Sequence, residues 1–242
     1  MSLLMTVVLE LFPHAGGMAH QYAPLSRRLR ELCAGYGAEV DIRVADYRAD
    51  GPARDVQQIA RSCAEELARV DGPVVLAGHS LGAFVAYETA LLLAPTSGTL
   101  SLVVSGQVAP QLHRGGSLHL ASDEALVEEL TRVDGGNREL FADAQMRSAF
   151  LPSIRDDYRL VETYTPSEPG APLQRIVAVK GDRDGELDVH TMALWRRHAR
   201  QWCGPIIVPG SHMHHLNPRG HLAEILTGEV FRCLTRPVPE TA

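Results

Sequence analysis

Apolar residues fall along this chain in two rhythms that take turns. Short runs, apolar throughout or in alternation, occupy Thr6–Phe12, Val40–Ala45, Val74–Ala77, Leu100–Ser105, Ile176–Val179 and Ile206–Val208. Between them, Tyr22–Cys33, Val56–Val70, Gly82–Ala94, Val189–Trp202 and Leu222–Leu234 place apolar residues at helical spacing. Gly82–Ala94 is apolar on nearly every side, and Val189–Trp202 carries an arginine-rich face. Strands apolar at every position are covered on both faces, so the pattern predicts an α/β fold: a mostly parallel central sheet flanked by helices. The rhythm fails once. From Gln111 to Pro172 no core strand is legible; Asp123–Val133 and Ala142–Ile154 read as helices, with Ser122 or Asp123 as an N-cap, and "TPSEPGAP" (Thr165–Pro172) reads as a returning loop. Residues 111–172 are expected to form a helical insertion over the strand ends, a mobile lid whose Leu126, Leu130, Phe141, Phe150 and Leu151 cover the site beneath.

The 242 residues suit one domain, 1–242, with a sizeable core. A net charge of −6 gives no general drive toward nucleic acid or an anionic membrane. Lys180 is the only lysine, so nearly all positive charge is arginine. The apolar start "MSLLMTVVLELF" has no preceding basic residue and no small-residue cleavage site, and Glu10 interrupts it. It reads as a first core strand rather than a signal peptide, and no segment reaches the length of a membrane span. Cys33, Cys63, Cys203 and Cys233 are far apart and form no Cys-x-x-Cys pair, which fits reduced thiols and a cytoplasmic setting.

The chemistry enters with "VVLAGHSLGAFVAYE" (Val74–Glu88), where Gly78 and Gly82 flank Ser80 between a buried strand and a long helix. A serine hydroxyl needs a base beside it and an electrophile held above it. A sharp strand-to-helix turn lifts it from the sheet and aims the first helical amides at a developing oxyanion. Such a turn brings two backbones together, and the flanking glycines leave room. The bland reading is a tight turn whose serine caps the helix. A nucleophile of this kind asks for an acid and a histidine later in the chain. "VAVKGDRDGE" (Val177–Glu186) offers Asp182 and Asp184; "IIVPGSHMHHL" (Ile206–Leu216) offers His212, His214 and His215. Both stretches follow strands, on the sheet edge that carries Ser80. The histidines lack a carboxylate or cysteine at ligand spacing, so no metal site is expected. In "LFPHAGGMA" (Leu11–Ala19) the first strand ends at a turn where Gly16 and Gly17 allow close backbone approach to a ligand. The Ala15 amide is a natural second oxyanion donor beside that of Leu81. No Gly-Lys-Ser/Thr follows, which excludes a phosphate loop.

With these pieces the chain resembles the type II thioesterases, free-standing α/β-hydrolases that accompany polyketide and nonribosomal peptide synthases. The resemblance runs from Leu11 to Leu234 and rests on "FPHAGG" (Phe12–Gly17), "GHSLGAFVAYE" (Gly78–Glu88), "LVVSGQVAP" (Leu102–Pro110), "FLPSIRDDYRLVETY" (Phe150–Tyr164), "GDRD" (Gly181–Asp184) and "PGSHMHHL" (Pro209–Leu216). It implies an α/β-hydrolase fold, Ser80 as nucleophile, Asp184 as acid and His212 as base. Ala15 and Leu81 would supply the oxyanion hole, and His14, Gly16 and Gly17 would contact substrate. The implied substrates are acyl groups held as thioesters on phosphopantetheine arms of acyl- or peptidyl-carrier protein domains, with small acyl thioesters as surrogates. No further cofactor is implied. Departures from the family pattern at Ala45–Gly51, Ser211, His214 and His215 border the expected pocket. The other readings are a general carboxylesterase or acyl-CoA thioesterase, an acyltransferase on the same scaffold, and a non-catalytic module that docks on a synthase. Arg196, Arg197 and Arg200, and Arg27, Arg28 and Arg30, are the candidate helical patches for docking an acidic carrier protein; the plainer reading of such arginine runs is a solvated helix face.

Overall fold

The structure, a computed structural model, describes residues 6–48, 51–94, 100–168 and 171–235. Residues 1–5 of the first expected strand, Ala49 and Asp50 of Ala45–Gly51, and Pro169 and Gly170 of the Thr165–Pro172 loop lie outside the described residues.

Six strands form one sheet: β1 (Val7–Phe12), β2 (Val40–Val44), β3 (Val74–His79), β4 (Leu100–Ser105), β5 (Leu173–Gly181) and β6 (Ala199–Val208). Their order is β2-β1-β3-β4-β5-β6, and every neighbouring pair is parallel. The period of two along each strand sorts side chains between two cores. Val7, Leu9, Leu11, Val75, Val103 and Val177 pack under α1 (Ala23–Gly35) and α8 (His221–Thr235). Val8, Phe12, Leu76, Leu102, Val104 and Ile176 face the layer of α2 (Val56–Leu67) and α3 (Leu81–Leu93). Burying one such side chain contributes about 1.5–3 kcal/mol, so two filled faces account for the continuous apolar runs. α3 is buried from Leu81 to Ala90 because it lies between the sheet, α2 and the insertion. The one carboxylate on that stretch, Glu88, accepts hydrogen bonds from the Tyr164 hydroxyl at 2.6 Å and the Ser167 amide at 3.0 Å.

Between β4 and β5 the described chain forms no strand. It makes α4 (Asp123–Val133), α5 (Asn137–Leu140) and α6 (Ala144–Glu162). Ser122 caps α4, its hydroxyl accepting from the Ala125 amide at 3.3 Å, and Asp143 caps α6 through the amides of Gln145 and Met146. Leu126, Leu130, Phe141, Leu151 and Ile154 form a small core within the insertion. α6 runs two turns past the expected end at Ile154. Its buried face continues through Asp157 and Leu160, and an acid in that stripe hides the continuation from a hydropathy pattern.

Two expectations are corrected near the C-terminus. The helix expected over Val189–Trp202 stops at His198, as α7 (Val189–Met192) followed by a 3-10 turn over Ala193–His198. Ala199–Trp202 belongs to β6, because pairing with Leu173–Ile176 of β5 overrides the local helical spacing. Arg200 therefore sits on a strand, apart from Arg196 and Arg197. The short strand expected at Ile206–Val208 begins seven residues earlier, at Ala199. The ladder crosses Gly204–Pro205 with a register shift opposite Val177–Val179, so the proline marks an irregularity on an edge strand rather than its start.

The strand order reverses between β1 and β3. The connection from β1 leads to β2 on one side, and that from β3 leads to β4 on the other. Their loops part at the carboxyl edge of the sheet and leave a crevice there.

Candidate active site

Ser80 stands at that crevice, between the last residue of β3 and the first of α3. It is the one described non-glycine residue with positive φ, at φ 53° and ψ −119°. Backbone of this kind costs about 1–3 kcal/mol and persists only where its surroundings impose it. They do so here. The Ser80 amide donates to the Ser105 carbonyl at 2.9 Å and the Ser80 carbonyl accepts from the Ala83 amide at 2.9 Å. A Cβ on Gly78 would run into the Gly82 carbonyl, and one on Gly82 into the carbonyl oxygens of Phe12 and Pro13. The two glycines are thus a steric demand of the turn.

At the end of β5 the chain turns through Asp182 and Asp184, and the two acids part company. Asp182 accepts from the Gly210 amide at 2.8 Å and so braces the turn before the histidines. Asp184, 3% exposed, lies 3.0 Å from His212 Nδ1 through Oδ2 and accepts from the Glu186 amide through Oδ1 at 3.0 Å. Burial works against its charge, but the bond to His212, the Glu186 amide and nearby Lys180 outweigh it and hold the carboxyl below its usual range. The carboxylate assigns the proton to His212 Nδ1 and leaves Nε2 as acceptor. His214 is committed elsewhere: Nδ1 donates to the Ser211 carbonyl at 3.2 Å and Nε2 accepts from the Ser105 hydroxyl at 3.0 Å.

Five of the eleven histidines gather here: His14, His79, His212, His214 and His215. His79 stacks on His215 with ring centroids 3.7 Å apart and lies 4.8 Å from His212. His79 Nδ1 reaches the Ser105 hydroxyl at 3.1 Å, and His215 Nε2 lies 3.0 Å from His14 Nδ1. Burial drives the His14 pKa down to about 3 and holds those of His79 and His215 well below the usual value. Among the described residues no group of three or more His, Cys, Asp or Glu side chains is disposed to hold a metal ion.

Ser80 and His212 line one cavity of about 620 Å³, together with His14, Ala15 and Gly16; Gly17 is not among its lining residues. Leu130, Phe141, Phe150, Ile154 and Tyr158 of the insertion form its apolar wall, whereas Leu126 and Leu151 pack inside the insertion. The Gly16 amide does not face the cavity as a free donor. It donates to Asp157 of α6 at 2.8 Å. Arg132 of α4 reaches Glu186 through both terminal nitrogens, at 2.6 and 2.8 Å, and so joins the insertion to the loop that carries Asp184. A second cavity of about 540 Å³ lies among Gln57, Arg61, Glu88 and Gln174, without Ser80 or His212. Sequence reasoning singled out neither Asp157 nor the histidine stack. Asp157 falls within Phe150–Tyr164, one of the stretches that carry the family resemblance, but nothing in the sequence sets it apart from Asp156, which the structure leaves exposed.

The chain matches the thioesterase domain family over residues 8–229. It is 33% identical to thioesterase PikA5 of Streptomyces venezuelae over 223 residues, which cover 89% of this chain and 77% of that protein. It superposes on the type II thioesterase BorB from the borrelidin biosynthetic cluster with a TM-score of 0.78, at 33% identity and over 93% of each chain. RedJ, a thioesterase from the prodiginine pathway of Streptomyces coelicolor, superposes with a TM-score of 0.77 at 27% identity, over 92% of this chain and 90% of that one. The chain therefore belongs to the thioesterase family, on an α/β-hydrolase scaffold. Within that family it is a type II thioesterase. Among the described residues no helix is long and apolar enough to cross a membrane.

Proposed function

We propose that this thioesterase hydrolyses acyl groups from phosphopantetheine thioesters on carrier-protein domains of a polyketide or nonribosomal peptide synthase, through an acyl-serine on Ser80. The observation that carries the reading is a strained serine and an aspartate-paired histidine opening on one largely apolar cavity. Ser80 Oγ attacks the thioester carbonyl while His212 Nε2 takes its proton, and Asp184 stabilises the imidazolium. The amides of Ala15 and Leu81 receive the oxyanion, each donor contributing about 3–4 kcal/mol to the transition state. The C–S bond breaks, the pantetheine thiol leaves with the proton from His212, and the acyl chain stays on Ser80. Water, deprotonated by His212, then attacks the ester, and a second tetrahedral intermediate collapses to the free acid and Ser80. The pantetheine arrives with the substrate, so the reaction as written calls on no other cofactor. His14 and Gly16 border the acyl group, and the insertion 111–172 acts as a lid over it. The wall of Leu130, Phe141 and Phe150 suits an aliphatic or aromatic chain.

The test is intact-mass analysis of a panel of acylated carrier proteins incubated with the enzyme and with Ser80→Ala. Loss of the acyl mass with the wild type alone supports the reading. Faster turnover of acyl-CoA or simple esters than of any acylated carrier replaces it with a small-molecule hydrolase, and capture of the acyl group by an added alcohol or amine in place of water replaces it with an acyltransferase.

A further inference from the structure

Asp157 is the one buried carboxylate of the insertion that reaches back to the sheet edge. Its neighbour Asp156 faces solvent, whereas the Asp157 side chain is 2% exposed. An unpaired carboxylate at that depth costs several kcal/mol, so its partners explain its presence. Oδ2 accepts the Gly16 amide at 2.8 Å. Oδ1 accepts Arg48 Nη2 at 2.6 Å, and the same nitrogen donates to the Ser153 carbonyl at 2.9 Å, one turn earlier on α6. Residue 16 has φ +78°, and a Cβ there would come within 3.0 Å of Ile154 on the same helix. On the other side of Ala15, the Tyr47 hydroxyl donates to the Pro13 carbonyl at 2.8 Å. The loop is therefore pinned two residues before Ala15 and one residue after it, and the pin after it is a charge-assisted bond to an amide.

We propose that Asp157 is a positioning residue for the oxyanion hole: by holding the Gly16 amide it fixes the Ala15–Gly16 peptide, and with it the tight turn in which the Gly17 amide donates to the His14 carbonyl at 2.8 Å and so sets the His14–Ala15 peptide that carries the Ala15 amide. The role rests on the proposed use of Ala15 as an oxyanion donor. Without the carboxylate, the Ala15–Gly16 peptide is free to rotate toward water, which loosens the turn closed by the Gly17 amide on the His14 carbonyl and lets the His14–Ala15 peptide, and so the Ala15 amide, lose its aim. α6 and the hole are then mechanically one unit, since a displacement of the helix that lifts Asp157 also dismantles the hole.

The test compares Asp157→Asn and Asp157→Ala with the wild type on a small acyl-pantetheine thioester. Three quantities are read: kcat, the affinity of a trifluoromethyl ketone that adds to Ser80 as an oxyanion, and the affinity of the unreactive thioether of the same chain. Asp157→Ala is expected to lower kcat by about 30–100-fold, approaching the roughly 10²–10³ that removal of a whole donor costs. Asp157→Asn, which keeps the shape but offers a neutral acceptor, is expected to lower it about fivefold or more, and it carries the test if the alanine variant does not fold. In both, ketone affinity should fall in step with kcat while thioether affinity stays within about twofold. Unchanged kcat, or equal losses of ketone and thioether affinity, overturns the assignment. Ser80→Ala in the same panel separates the two levels. If it retains turnover, the acyl-serine reading falls and the positioning role with it; if it is inactive while the Asp157 variants match the wild type, only the positioning role falls.

Discussion

Acidification from pH 7.5 to 5 should weaken this protein through the histidines packed behind Ser80. His14, with a pKa pushed down to about 3, and His79 and His215, held well below 6.5, stay neutral in the folded chain. In the unfolded chain each titrates near its ordinary value, so below about pH 6.5 the unfolded state binds more protons and stability falls with pH. By pH 5 a histidine kept neutral costs about 2 kcal/mol; His14 bears that in full, and His79 and His215 add to the loss in the same direction. Burial of Glu10 acts the other way. Its pKa is raised to about 7, so the folded state gains a proton that the unfolded chain takes only near 4.5. That returns about 2 kcal/mol at pH 5. Glu10 thus offsets His14, and the loss left to His79 and His215 reaches up to about 4 kcal/mol, a large share of the 5–15 kcal/mol typical of a domain and up to roughly 8–16 °C in Tm, with buried His214 acting in the same direction and Asp157 in the opposite one. Urea titrations at fixed ionic strength measure it directly, and the slope of unfolding free energy against pH counts the protons. His215→Leu should flatten that slope by about one proton, whatever it does to stability at neutral pH. A Tm shift under about 3 °C, or a slope unchanged in His215→Leu, refutes the account.

Ser80→Ala should lower turnover by roughly 10⁴-fold or more while leaving the fold intact, and Ser80→Gly should be equally inactive yet more stable by about 1 kcal/mol, since glycine accepts φ 53° without strain. Thermal melts and progress curves on one acyl thioester check both. Asp184→Asn should reduce kcat by about 10³–10⁴-fold by disturbing the His212 tautomer, whereas Asp182→Asn, which only weakens the brace to Gly210, should cost under about tenfold. Gly82→Ala places a methyl against the carbonyls of Phe12 and Pro13 and should yield little folded protein; Gly228→Ala, in open space within α8, should raise Tm by about 2–4 °C. Soluble yield and melting curves separate them.

The sheet was legible because parallel strands buried on both faces leave runs such as Val74–Ala77 that nothing else explains. The site was legible for a chemical reason: a serine between two glycines is inert without a base, so the search for an acid and a histidine at later strand ends had few places to look. What stayed hidden depends on contacts distant in sequence. Ala199–Trp202 has the spacing of a helix, and only its pairing with β5 makes it strand. Asp157 looks like its solvated neighbour until α6 is laid across the loop after β1, 141 residues away. The sequence reads His14 as a substrate contact and His214 and His215 as rivals of His212 for the base, and nothing in it sets them against His79. Their assembly into a stack follows from the strand order, which brings three loops to one point.

Lys180, the only lysine in the chain, is spent on holding the Asp184 turn: it is 8% exposed, and its ammonium donates to the carbonyls of Gly181 at 3.0 Å and Asp184 at 2.7 Å. Every other positive side chain is a guanidinium, which remains protonated and is a poor nucleophile. Activated thioesters acylate exposed amines without any catalyst. A protein whose substrates are such thioesters, and which keeps its sole side-chain amine buried and hydrogen-bonded, presents no lysine for them to mark. The same economy makes its lysine a poor target for amine-directed dyes, crosslinkers and sensor surfaces.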